Sequence, residues 1–307
     1  MRSDADLRCP SARPPGGSRA SRPVRQYTVA PMRSKPAVGT ADSLQEYGRG
    51  IAGGFLFSLP LLLTMELWAA GAAASPARLL AGLVATFVLL CGYNAYAGLR
   101  HDSTLAEIVI DSVEELGLGI VLSALIFVLL AGASAGMDAR DTLGTIITQG
   151  LMVAIGVSVG TAQISGDRQQ QGGPEGRHLT LISEIVLALC GTVLVAANAA
   201  PTEEIVLLAG RMRPGHLLAV TALSLALAAM LLYHSNFAGS ARFAGSHHWD
   251  VLHGATITYA AALAGSAGLL WFFRRFDTAA PQLAIAQCVV LALPGTLGAA
   301  IGRLLLR

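Results

Sequence analysis

The stretch Asn198-Ala-Ala-Pro-Thr-Glu-Glu-Ile-Val-Leu-Leu-Ala-Gly210 sets two adjacent carboxylates, Glu203 and Glu204, between long apolar runs. In a water-soluble protein this would be an ordinary loop leading into a helix. Here the runs on both sides are long enough to cross a bilayer, and ionisable groups in that setting are costly and need a reason. Of the 307 residues, 53% are hydrophobic and 13% are charged, with a mean hydropathy of +0.58. Soluble domains carry roughly 25% charge. Lipid is therefore the solvent for most of this chain, and the fold class is an all-α polytopic transmembrane helix bundle.

Eight candidate spans surround that stretch. They are Gly50–Gly71, Leu79–Leu99, Ile108–Gly132, Thr142–Ile164, Leu179–Ala200, Leu217–Asn236, Val251–Phe273 and Leu283–Leu306. Each approaches or exceeds the roughly 20 residues needed to cross the hydrocarbon core. A break is expected at Pro201, because the fifth span continued through Gly210 would be too long. Thr202 then serves as N-cap, with Glu203 and Glu204 in the first turn, where the helix dipole favours them. Pro60 and Pro294-Gly295 are expected to kink the first and eighth spans.

Residues 1–48 are polar and rich in Arg and Pro, with no apolar core of a signal peptide. Such a tail cannot bury enough surface to fold and is expected to be disordered. Translation from Met32 would remove most of it. With the tail inside, fifteen Arg and Lys residues fall on the inner side and six on the outer. The positive-inside rule then places both termini in the cytoplasm. The Arg-rich tail has no aromatic interleaving, so no nucleic-acid partner is indicated. The partners expected are the lipid bilayer and cations or protons, with a homo-oligomer left open.

Two stretches resemble each other at a distance. One reads Thr64-Met-Glu66, Gly71, Arg78-Leu-Leu; the other reads Thr202-Glu-Glu204, Gly210, His216-Leu-Leu. Glu66 to Arg78 and Glu204 to His216 are both 12 positions. Asn94 closes the second span much as Asn236 closes the sixth. The pattern reads as two parallel four-helix repeats, residues 49–165 and 179–307, related by an axis along the membrane normal.

The acidic residues Glu66, Asp111, Glu114, Glu115, Glu184, Glu203 and Glu204 lie within or at the edge of the spans, and no Lys or Arg sits deep in any span. Asp111, Glu114 and Glu115 share one helix face by their i, i+3, i+4 spacing, and Glu107 extends it by a turn. Such a face is expected to point at the bundle interior or a water-filled cavity. One reading is a cation or proton path with Asp111, Glu114 and Glu115 as an inner site and Glu66, Glu203 and Glu204 as an outer one. Asn94 and Asn236 would be neutral ligands or helix-contact groups. The other reading is a membrane scaffold or sensor whose carboxyls are protonated or paired, for example Glu203 and Glu204 with Arg211 or Arg213.

His247, Asp250 and His253 follow roughly one helix face and form a weak candidate metal site. An interfacial helix start, with Ser246 as cap and Trp249 in the headgroup belt, explains them equally well. Cys9, Cys91, Cys190 and Cys288 contain no CxxC pair and read as small packing residues. No cofactor is indicated. An intramembrane enzyme is the lesser reading. The pair Glu203-Glu204 resembles the first motif of CAAX-type proteases, but that motif needs Arg where this chain has Leu208, and the later His motifs do not align.

Taken together, Pro60-Leu-Leu-Leu-Thr-Met-Glu66-Leu-Trp, Gly92-Tyr-Asn94, Asp111-Ser-Val-Glu-Glu115 and Ala200-Pro-Thr-Glu-Glu-Ile205 resemble a bacterial family of uncharacterised integral membrane proteins. The resemblance covers about residues 45–307. It implies a bacterial inner-membrane protein and supplies neither an activity nor site residues.

Overall fold

Apolar runs of this length must close their backbone hydrogen bonds within each segment, and the computed structural model is all-helical across the residues it describes. These are 40–97, 104–130, 136–163, 181–234 and 248–305. The Arg/Pro-rich tail, Cys9, Asn236 and His247 lie outside them. The helices are α1 (Thr40–Leu62), α2 (Met65–Ala72), α3 (Pro76–Ala97), α4 (Leu105–Leu129) and α5 (Ala139–Gln163). They continue with α6 (Leu181–Ala196), α7 (Glu203–Arg211), α8 (Pro214–His234), α9 (His248–Phe272) and α10 (Pro281–Leu305).

Six of these are long and apolar enough to span: α3, α4, α5, α8, α9 and α10. The bent pair α1 and α2 makes a seventh if counted as one span. Among the described residues the spans number six or seven by length and composition where eight are expected; α6, described from Leu181 on, has 16 residues. Its physical stop is local. The Asn198 side-chain amide donates to the Leu194 carbonyl at 2.8 Å, and the chain turns through Ala200 into Pro201.

The first break is sharper. Pro60 removes a donor near the end of α1, and α2 departs at 87°. The carbonyls freed there are claimed by side chains. The Thr64 hydroxyl donates to Leu61 O at 2.7 Å, and the Trp68 indole N–H donates to Leu62 O at 2.8 Å. Thr202 stands at the N-cap of α7 as expected, with Glu203 and Glu204 in the first turn. Its hydroxyl, however, does not cap α7; it donates back to Ala199 O at 2.7 Å. At the second expected kink, α10 runs through Pro294 as one helix.

Two helices form the interior. α5 packs against α1, α2, α3 and α4, while α10 packs against α6, α7, α8 and α9. In its most apolar window 83% of α5 is buried, against 11% of α8, so α5 is a core helix and α8 faces lipid. Glycines let backbones meet, as is common between membrane helices. A Cβ on Gly53 would fall 2.2 Å from Gly160 Cα, and one on Gly191 would fall 2.1 Å from Gly298 O. Gly53→Ala and Gly191→Ala should each destabilise the protein by about 1–3 kcal/mol in denaturant titrations of detergent-solubilised protein. Gly117→Ala, where nothing lies within 4 Å, should not.

One turn touches both breaks. α9 ends in a Schellman cap: the Arg275 N–H reaches Leu270 O and the Arg274 N–H reaches Trp271 O. Arg274 takes the left-handed position, φ 63°, where glycine is usual. Its side chain binds Ala73 O, after α2, and Asp277. The Arg275 guanidinium donates to Pro201 O, before α7. Arg78 at the start of α3 bonds Asp277 and lies 5.6 Å over the Trp271 ring.

The hydrogen bond from Arg78, then that from Arg274, holds the Asp277 carboxyl below its usual range. A lowered carboxyl contributes while it is ionised. This latch is therefore complete above the ordinary carboxylate range and is lost as pH falls through the lowered value. Acidification should change Trp271 fluorescence reversibly, and Asp277→Asn should remove that acid-dependent component.

Candidate functional site

At the end of the bundle where α3 ends and α4 begins, polar side chains from three helices converge. The Asn94 amide donates to the Glu115 carboxylate at 2.8 Å and to the Ser112 hydroxyl at 3.1 Å. Ser158 of α5 donates to Asn94 Oδ1 at 3.5 Å. Asn94, Ser112 and Ser158 are buried, and Glu115 is half-buried. The cluster forms because α4 turns Ser112, Leu116 and Gly119 inward at helical spacing, which carries Glu115 to the seam with α3.

The acidic face divides. Asp111 and Glu115 are half-buried, whereas Glu114 is exposed and accepts a hydrogen bond from the Tyr47 hydroxyl at 3.4 Å. Glu107, one turn before Asp111, forms with Thr104 a capping box that starts α4. Glu66 is exposed on α2, and Glu203 and Glu204 are exposed on α7. Among the described residues no ion pair joins either of the last two to Arg211 or Arg213, contrary to the pairing alternative. Their exposure explains this: each charge is already solvated or interfacial and gains little by pairing.

A basic side chain near a span's end is buried between helices. Arg303, two residues before the end of α10, is 4% exposed. Its guanidinium meets Glu184 of α6 at 2.9 Å, Gly254 O of α9 at 2.8 Å, and the Thr258 hydroxyl at 2.5 Å. Three helices are tied by one cation. A position near the chain's end hides this from the sequence; the clue is Glu184, an acid in a span with no evident partner.

For the histidine cluster, Asp250 and His253 lie in the first two turns of α9. Among the described residues no group of three His, Cys, Asp or Glu side chains could hold a metal. Cys91, Cys190 and Cys288 are free thiols.

The Arg303–Glu184 pair has a testable cost. Arg303→Met should leave Glu184 without its guanidinium and lower stability by about 3 kcal/mol. Adding Glu184→Gln should recover part of the loss. Chemical denaturation of the single and double variants measures both.

The family described as "Putative integral membrane protein (DUF2391)" matches residues 46–306. No curated protein and no solved structure matches the chain.

Proposed function

The chain belongs to this family of multi-pass integral membrane proteins, and we propose that it passes a cation or a proton through the bundle on intramembrane carboxylates. The observation that carries the reading is Glu115, a carboxylate drawn into a transmembrane bundle and met there by the Asn94 amide, which Ser112 and Ser158 hold in place. Acidic groups at such positions mark ion or proton paths by default. Asp111, Glu114 and Glu115 form the inner station and Glu66, Glu203 and Glu204 the outer one, with Asn94 and Asn236 as neutral ligands. The excess of Arg and Lys on one side supports a bacterial inner-membrane protein with both termini cytoplasmic.

With α1–α2 and α6–α7 each taken as one interrupted span, we read the bundle as two parallel four-helix repeats. Thr64 and Thr202, 138 positions apart, each donate from the hydroxyl to the carbonyl three residues back, at 2.7 Å in both cases. The same interval relates Gly53 to Gly191. Gly53 rests on Gly156 and Gly160 of α5, and Gly191 rests on Gly298 and Gly302 of α10. Packing volumes exchange across the repeat: Gly54 lies against Val157, and at the same interval Thr192 lies against Gly295.

The second reading is a scaffold or sensor, favoured by the purely mechanical role that Arg303–Glu184 and Asn94–Glu115 can also fill. Proteoliposome flux of K+, Na+, Ca2+ and Mn2+ under a pH gradient separates the two. Transport is expected in the wild type, with at least a tenfold loss in Glu115→Gln and Asn94→Ala. Equal flux from wild type and variants, or no flux from folded protein, rejects the path.

A further inference from the structure

Gln149 and Gln287 are 0% and 1% exposed, and neither the nitrogen nor the oxygen of either carboxamide has a hydrogen-bond partner. Each belongs to a central helix, α5 or α10. Their depth follows from the antiparallel register with the neighbouring broken helix. On α5, Gly160 and Gly156 meet Gly53, Val153 meets Gly54, and Met152 O receives the Ser58 hydroxyl. One further turn sets Gln149 level with Leu61 and Leu62, where α1 stops. On α10, Gly298 meets Gly191, Gly295 meets Ala196, and Leu283 approaches Gly210. Gln287 falls between these last two contacts, level with the break between α6 and α7. Each half of the bundle thus sets a buried glutamine beside its own helix break.

A primary amide offers two donors and an acceptor with two lone pairs, and leaving all of them unmet in an apolar interior is strongly unfavourable. Leu or Met would fill the same volume without that penalty. Arg303, the buried charged residue among those described, lies at the other end of α10. A bare ion at the glutamines would find no counter-charge there, whereas a neutral molecule that both donates and accepts would satisfy them.

A water-sized cavity lies between the first break and the end of α6, bordered by neither glutamine. It measures about 10 Å³ for the centre of a water, the space of one molecule. Ser58 and Leu61 line it from α1, Met152 from α5, and Leu194 and Asn198 from the α6 side. Asn198 Oδ1 is itself buried with no partner.

We infer that Gln149 and Gln287 are paired water-binding sites, each holding ordered water at the base of a helix break. Water at this depth deepens the path reading, because it supplies relay positions between the inner and outer carboxylates. It is detectable whether or not any ion moves.

The test is hydroxyl-radical footprinting by synchrotron X-rays on the full chain in phosphatidylcholine nanodiscs, read by mass spectrometry. Radicals form from bound water, so buried side chains beside it are oxidised. Leu62 and Val153 report on Gln149, and Ile205 and Leu291 report on Gln287; Leu90, equally buried, is the dry control. Reporter oxidation is expected at several times the Leu90 level in the wild type. It should fall at least threefold in Gln149→Leu or Gln287→Leu at the matching site only, and persist in the →Glu variants. Wild-type reporters no more oxidised than Leu90, with →Leu variants melting at a higher temperature, would overturn the assignment.

Discussion

Hydrocarbon offers no hydrogen bonds, so each time a helix stops inside or near it the freed carbonyls must find donors within the protein. The two places where this chain interrupts itself obey that demand with side chains chosen for it. At the first, Thr64 and Trp68 take over the carbonyls of Leu61 and Leu62. At the second, Asn198 and Thr202 take those of Leu194 and Ala199. The remaining architecture follows. Short helices can branch away only where these donors stand, and the long helices α5 and α10 supply the walls against which the interrupted ones rest.

Those walls are built for close approach. Where Gly53 meets Gly160 and Gly191 meets Gly298, main chains pack with no side chain between them. Dispersion and excluded lipid, rather than a hydrophobic gradient, hold such contacts in a membrane. The same intimacy turns polar groups inward. Ser58, Ser158 and Thr192 can be buried because small neighbours leave their hydroxyls within reach of a carbonyl or an amide.

Hydropathy made the long spans legible, since α3, α4, α5, α8, α9 and α10 each carry a nearly unbroken apolar run. Where α6 ends was not legible. Ala196 through Ala200 are as apolar as any helix, and the helix stops because one amide, that of Asn198, captures a carbonyl. At the acidic site, spacing placed Asp111, Glu114 and Glu115 on one face. It could not show that Glu114 turns outward while Glu115 turns to Asn94, because the seam with α3 decides between residues one position apart. Arg303 was invisible for a related reason: charge near a terminus reads as interfacial until the helices around it are known.

The turn after α9 has a consequence for length as well as composition. Arg274 and Arg275 are adjacent, yet one holds the exit of α2 and the other the entry of α7. Adding or removing a single residue in α9 would swing the pair by about 100°, withdrawing both guanidiniums at once. Insertions that most surface turns would absorb are therefore closed to this one, and the two distant short helices share a single point of failure.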